Sequence, residues 1–377
     1  MLWLAWQAAP IRLAFKDTKM SWEVVLMRFS RMIQSVEVHA EGEPGRVITG
    51  GMPQLKGDSV YEKMRYMEAH HDDLRLKMLR EPRGYPVLCC NALVEPCDPR
   101  ADAGFIIMEQ TEYPPMSGSN TICVVTTLLE TGILPMVEPV TELTLEAPAG
   151  LLKVRAECSG GKVTKVAFRN VPAFAVHLDA EVEIPHFGKA VIDVAWGGMF
   201  FAIADAAQFG IELGPQNERE QVRFAEMIRQ AAVEQLPVVH PENAGITGPT
   251  IGQLTGSARR SDANGASAVS VSTGAFDWDQ PQMAPGVFDR SPCGTGTCAK
   301  MAVLHAKGVL SVGDRYLNEG PLGTIFEGRI LEEATVGPYS AIVPEIAGQG
   351  WIYGMSQWIV DPSDPFQDGY TIGDIWG

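Results

Sequence analysis

The sequence predicts an α+β fold of two similar domains, each a central helix wrapped by strands. Short β-like runs outnumber helical ones, two helical segments are apolar nearly all round, and those two segments repeat one another at a fixed offset. A helix that is apolar on every face lies inside its domain and needs strands to cover it. At 377 residues the chain is also too long for one ordinary core and suits two.

Residues 1–26 read as an N-terminal extension. Their apolar stretch is broken by Arg12 and Lys16, and it lacks the basic start and small-residue cleavage site of a secretory signal. Patterned sequence begins near Met27. The runs SVEVHA, RVITGG, YPVLCCNALV, AGFIIME, TELTLEA, GLLKVRA and KVTKVAF, separated by Gly/Pro punctuation, predict strands. SVYEKMRYMEAHHDDLRLKMLR predicts one helix and NEREQVRFAEMIRQAAVEQL another. The two apolar helices run from Asn120 to Glu130 and from Gly296 to Lys307.

Those two helices carry the repeat. Ser117-Gly118-Ser119-Asn120-Thr121 stands 176 positions before Cys293-Gly294-Thr295-Gly296-Thr297. The same offset matches Leu128 with Leu304, Gly132 with Gly308, and Ile133-Leu134 with Val309-Leu310. A small-residue turn, an apolar helix and its glycine stop thus recur without a gap, as an internal duplication would leave them. The expected domains are 27–187 plus 356–377, and 188–355.

Composition narrows the function. Hydrophobic residues make up 46% and charged residues 20%, ordinary values for a soluble domain. A formal charge of −16 argues against nucleic acid or an anionic membrane as partner, and no run of about 18 apolar residues spans a bilayer. An anionic substrate must therefore be held by local features, such as helix N-termini. The seven cysteines, Cys89, Cys90, Cys97, Cys123, Cys158, Cys293 and Cys298, include no C-x-x-C pair. Neither a disulfide framework nor a zinc site is expected, and a cytoplasmic location is. The seven histidines show no metal-ligand spacing, so no metal is expected. His305 reads as a core histidine, and Cys123 and Cys298 as packing.

Each repeated motif sets a nucleophile-type side chain just ahead of a helix start, where free N–H groups and the helix dipole favour an anion. The same field should favour thiolate at Cys293. Two such starts facing one another would grip one carboxylate, with Ser117 and Cys293 flanking the carbon that bears it. That arrangement suits proton removal α to a carboxylate, whose dianionic product the helix ends stabilise more than the ground state. No pyridoxal-binding pattern and no dinucleotide fingerprint is present, so the side chains are expected to work without a cofactor.

The segment DRSPCGTGTCAKMA (Asp289 to Ala302) resembles the second catalytic motif of the proline racemase superfamily. PMSGSNTI (Pro115 to Ile122) is similar to the first, usually written with Cys and His where this chain has Ser117 and Ser119. HAEGEPGRVITGG, EPRGYP, LEAPAG, the VP of RNVPAF, DVAWGGMFF and LGTIFEG also fall in family order, so the resemblance covers essentially everything after Met27. It implies two pseudo-symmetric domains, each a curled, mostly antiparallel sheet around a central helix, like diaminopimelate epimerase. It implies Ser117 and Cys293 as the acid/base pair. Gly118, Ser119, Gly294 and Thr295 would line the substrate's carboxylate and ring-nitrogen region, and Asp289 would bind the ring ammonium of a small imino acid. Phe200 or Phe201 would contact the ring, while His39 and Glu43 either support the cleft or form a structural turn. Relatives of this architecture are often homodimers, though no interface is legible here.

The serine bears on the reaction. A hydroxyl is a much weaker acid than a thiol, which argues against proline racemisation. Family members with Ser in the first position resemble enzymes of hydroxyproline breakdown. Dehydration of trans-3-hydroxy-L-proline to pyrroline-2-carboxylate is the expected reaction, because elimination returns no proton to Cα. It sits uneasily with one fact: dehydratases of the family often keep the first cysteine and lose the second. The alternative is 2-epimerisation of 4-hydroxyproline. A proline racemase, or a non-catalytic imino-acid binder, follows behind.

Overall fold

The computed structural model describes residues 29–376, so the expected extension over residues 1–26 lies outside the described residues. Every strand expected from the seven β-like runs forms. β1 (Arg31–Ala40) pairs antiparallel with β2 (Glu43–Gly50), and β2 runs parallel to β3 (Cys89–Val94). β3 is antiparallel to β4 (Ala103–Met108), and β4 is parallel to β5 (Val140–Ala147). β6 (Gly150–Ser159) and β7 (Lys162–Arg169) extend β5 as an antiparallel meander.

The second half repeats that order. β8 (Ala173–Ile184) and β9 (Gly188–Trp196) form a hairpin, and β9 pairs antiparallel with β10 (Phe200–Asp205). After the short pair β11 (Val238–His240) and β12 (Asn243–Gly248) comes β13 (Ile251–Gly256), parallel to β10. β13 is antiparallel to β14 (Gly265–Ser272), which pairs with β15 (Gly286–Phe288) and lies parallel to β16 (Arg315–Glu319). β17 (Ile325–Val336) and β18 (Tyr339–Gly348) continue as a meander, and β19 (Gly350–Val360) closes on β1.

Helices fill equivalent links. α1 (Val60–His70) and α2 (Asp72–Leu79) join β2 to β3, α3 (Gly118–Glu130) joins β4 to β5, α4 (Glu218–Gln235) lies between β10 and β13, and α5 (Gly294–Ala306) precedes β16. The single helix expected over 59–80 is broken at His71, whose backbone (φ −141°, ψ 27°) leaves the helical region and ends α1 while Asp72 and Asp73 start α2. The break lets Met64 and Met67 of α1 join Leu74, Met78 and Leu79 of α2 in one apolar cluster over the sheet.

The two apolar helices are buried as expected. α3 packs on β1, β2, β7 and β19, and α5 on β8, β9, β17 and β18. Each has thirteen residues. Each stops at a left-handed glycine, Gly132 (φ +73°) or Gly308 (φ +72°), a backbone region that only glycine enters at no steric cost. Leu134 N–H then donates to Leu128 O, and Leu310 N–H to Leu304 O. Strand alternation sorts the remaining side chains. On β4, Phe105 and Ile107 face the α3 core, whereas Ile106 and Met108 face α1 and α2.

The halves are joined by strand hydrogen bonds as well as by packing. Seventeen strands form one continuous hydrogen-bonded network, with β18 bonded to β7 and β8 as well as β17. Cys298, Met301 and Ala302 of α5 belong to the same apolar cluster as Ile122 and Leu128 of α3. The expected boundary at 187/188 falls in the turn of the β8–β9 hairpin, and that at 355/356 falls inside β19. Neither is a linker.

Candidate active site

The starts of α3 and α5 meet. A Cβ built on Gly118 would lie 2.7 Å from Gly294 Cα, and one built on Gly294 equally close to Gly118 Cα. Only glycine at both positions permits that approach. Gly118, Ser119, Gly294 and Thr295 are the first residues of their helices, where N–H groups precede the intrahelical ladder and remain available to an anion. The Trp196-Gly197-Gly198 turn packs onto the same place: a Cβ on Gly198 would touch Thr295 Cγ2 and Met116.

Ser117 and Cys293 are the two N-caps and line one narrow cavity. Its wall also includes Glu43, Cys89, Glu109, Ser119, Asp289, Gly294 and Thr295, with Met199, Phe201, Ile251, Val269 and Val271 as the apolar side. The cavity holds only about 20 Å³, so a ring-sized ligand needs the walls to part. A far larger cavity of about 1030 Å³ lies elsewhere, beside Asp205, Arg259 and Lys300. Neither Ser117 nor Cys293 lines it, and chemistry rather than size identifies the site.

Ser117 has extended backbone (φ −148°), and its Oγ accepts the Asn120 side-chain N–H at 2.9 Å and the Asn120 backbone N–H at 3.5 Å. The amide orientation follows from its neighbours. Asn91 Nδ2 faces the Arg46 carbonyl at 3.4 Å and donates to Asn120 Oδ1 at 2.6 Å, which leaves Asn120 Nδ2 for Ser117. Ser119 Oγ stands 3.4 Å from Ser117 Oγ. With Asn120 donating to its oxygen, the Ser117 hydroxyl keeps its own proton for Ser119 Oγ or for the cavity.

Cys293 sits at φ +61°, a strained region for a residue with a Cβ. Its Sγ accepts Gly296 N–H at 3.4 Å and lies 3.8 Å from Thr295 Oγ1. Ser291 Oγ accepts Cys293 N–H at 3.0 Å and donates to Asp289 Oδ1 at 2.8 Å, tying the acid to the turn. The expectation of a ready thiolate is corrected. Burial, and then the Asp289 carboxylate, push the Cys293 thiol well up, against the pull of Gly296 N–H and Thr295. Desolvation outweighs the helix start here.

The site is rich in carboxyls. Burial raises Asp289 against its Ser291 hydrogen bonds. Burial, then Asp289, raises Glu43, whose Oε2 accepts Arg290 N–H at 2.5 Å and so links β2 to the second motif. Burial, then Glu112 and Asp289, raises Glu109. Cys89 is raised by burial and then by Glu109, and its Sγ lies 3.7 Å from Glu43 Oε1 and 3.9 Å from Glu109 Oε1.

Every residue expected at the site from the two motifs is at or beside this cavity, and of the two phenylalanines Phe201 lines it while Phe200 packs on Trp196. Glu43 joins the site. His39 instead stacks on Trp351 and accepts Gly42 N–H, a structural turn. His305 bonds to Leu310 O, and Cys298 to Asn170. Sequence reasoning missed Cys89, Glu109, Asn91 and Asn120. Strand alternation held a signal: Phe105, Ile107 and Glu109 occupy every second position, so a charged residue continues a buried face.

The proline racemase family model matches residues 35–371. The chain belongs to the proline racemase family. A hydroxyproline epimerase from Agrobacterium vitis, crystallised with bound trans-4-OH-L-proline, is 36% identical over 93% of this chain and 98% of its own, with a TM-score of 0.85. A probable proline racemase from Agrobacterium radiobacter, with bound carbonate, is 37% identical over 92% and 98%, with a TM-score of 0.84. A PhzF-family phenazine biosynthesis protein from Bacillus anthracis is 11% identical over 87% and 99%, with a TM-score of 0.53, and shares the fold alone.

Proposed function

We propose that this member of the proline racemase family moves the Cα proton of a hydroxyproline without a cofactor, and that its reaction is 2-epimerisation of 4-hydroxyproline. The observation that carries the reading is the pair Ser117 and Cys293 on touching helix starts around one cavity, with Ser117 Oγ hydrogen-bonded by Asn120. The resemblance to the hydroxyproline epimerase supports the substrate class. It also moves the balance away from the dehydration expected from sequence.

In this mechanism the amides at the two helix starts hold the substrate carboxylate, and Asp289 holds the ring ammonium. The ammonium cancels the repulsion between Asp289 and a thiolate, which lowers the Cys293 pKa when substrate binds, and the thiol proton passes to water before the walls close. Cys293 thiolate then takes the Cα proton from one face, leaving an aci-carboxylate dianion and a thiol. The dianion is strongly basic at Cα and takes the Ser117 hydroxyl proton on the other face. Asn120 stabilises the resulting alkoxide. The reverse reaction runs the same transfers backward.

Dehydration of trans-3-hydroxy-L-proline is the second reading, favoured by the single thiol. Cys293 thiolate would remove the Cα proton, the thiol so formed would return that proton to the departing C3 hydroxyl, which leaves as water, and Ser117 would need no alkoxide form. Incubation with each hydroxyproline in D2O, followed by NMR, tests both. A deuterated 2-epimer of 4-hydroxyproline is expected. Pyrroline-2-carboxylate from the 3-hydroxy isomer alone replaces the first reading with the second, and absence of any product or Cα exchange overturns both.

A further inference from the structure

We propose that Glu109 receives the ring hydroxyl of the substrate and thereby sets the preference for a hydroxyproline over proline. The inference rests on the hydroxyproline reading above and names the residue that would discriminate.

Glu109 follows the last residue of β4 and lines the site cavity, yet it is only 6% exposed. Its Oε1 is approached by the Cys89 thiol, whereas its Oε2 is fully buried with no hydrogen-bond partner. Among the described residues, Glu109 is the only residue lining this cavity that has an unpartnered buried side-chain polar atom. A buried oxygen without a partner is costly, and a site tolerates one chiefly where a ligand completes it.

The ligand's other polar groups already have partners. A proline-type ring has one carboxylate, which suits the paired helix starts, and one ammonium, which suits Asp289. Its methylenes suit Phe201, Ile251, Val269 and Val271. Proline brings nothing further for Glu109. A hydroxyproline brings one more hydrogen-bonding group, and a hydroxyl pairs with a carboxyl in either protonation state. A site built to hydrogen-bond a hydroxyl discriminates strongly against the analogue that lacks it, because the buried group is then left unpaired.

Calorimetry in the Cys293→Ser background, which should not turn substrate over, reads this directly. Wild-type Glu109 should bind trans-4-hydroxy-L-proline more tightly than L-proline. Glu109→Ala should weaken the hydroxylated ligand about ten- to a hundredfold and leave proline within about twofold. The amide of Glu109→Gln still pairs with a hydroxyl but not with the charge of an ammonium, so it should retain most of the preference and all of the proline affinity. Pyrrole-2-carboxylate binding checks that each variant keeps an intact site, and if Glu109→Ala fails that check, Glu109→Met, which fills the space without a polar group, decides with the same expected loss for the hydroxylated ligand alone. Equal losses for both imino acids, in any variant, would assign Glu109 to the shared amine and overturn the inference, as would no change for either in the variants that lack a polar group. Catalysis by the unmutated enzyme in D2O is a separate readout. Failure there sinks the epimerase reading, whereas failure of the calorimetric preference with turnover intact sinks only the role of Glu109.

Discussion

The starts of α3 and α5 have nearly the same architecture with different chemistry. In both, a cap residue precedes thirteen helical residues, and a threonine four positions on donates its hydroxyl to the cap carbonyl at 2.7 Å, Thr121 to Ser117 and Thr297 to Cys293. The third position after the cap differs. Asn120 sends an amide to the serine, whereas Gly296 leaves room for the thiol: a Cβ there would lie 3.1 Å from Cys293 Sγ and 2.9 Å from Gln253 Oε1. The backbones differ as well, relaxed at Ser117 and at positive φ at Cys293. The repeat thus keeps one frame of cap, helix and glycine stop, and each copy is fitted to its own cap side chain. The serine half has a dedicated hydrogen-bond donor, and the cysteine half has space and strain.

Four experiments break or sharpen that contrast. Cys293→Ser leaves two hydroxyls and no accessible thiolate, so Cα exchange should fall by about 10³-fold or more with substrate binding retained. Retention of rapid exchange would mean that the halves are interchangeable. Ser117→Ala should lower epimer formation by about 10²-fold yet preserve Cα deuteration with retained configuration, because Cys293 can still exchange its own face. NMR in D2O distinguishes this from loss on both faces, which would remove the asymmetry. Asn120→Ala should cut kcat about tenfold with little change in KM, since it removes one hydrogen bond formed most strongly to the developing alkoxide. An effect on KM alone would make Asn120 a substrate contact instead.

The smallest effect concerns the buried carboxyl of Glu109 in the cavity wall. Burial raises Glu109 above its ordinary value of 4.5. The folded state therefore holds this proton more tightly than the unfolded chain. The associated stability is complete below about pH 4.5 and declines as pH rises toward the folded value. Glu109→Gln removes that decline. Its Tm relative to the unmutated protein should climb by about 1–3 °C between pH 5 and pH 8, and a flat difference would refute the burial argument.

Much of this was readable in the chain. The two apolar helices, their glycine stops and the motif pair depend on local propensity and on a repeat visible in one dimension. For that reason α3, α5, Ser117 and Cys293 were foreseeable, whereas Asp289 was expected only from the family resemblance. Cys89 and Asn91 were not, because a thiol and an amide in an apolar strand look like core packing until β3 is laid beside β2 and α3. His71 ended a helix that periodicity carried straight through, since both sides of the break face the same sheet.

The sequence by itself determined which residues would start the two helices and which chemistry each would bring, because caps, glycines and apolar periodicity act over a few residues. Only the tertiary structure decided that Gly118 and Gly294 touch, that seventeen strands join the halves, and that Glu43, Cys89 and Glu109 surround one cavity. It also decided that Cys293 is held as a thiol by burial and Asp289. Desolvation and charge proximity depend on groups far apart in the chain, and no local pattern records them.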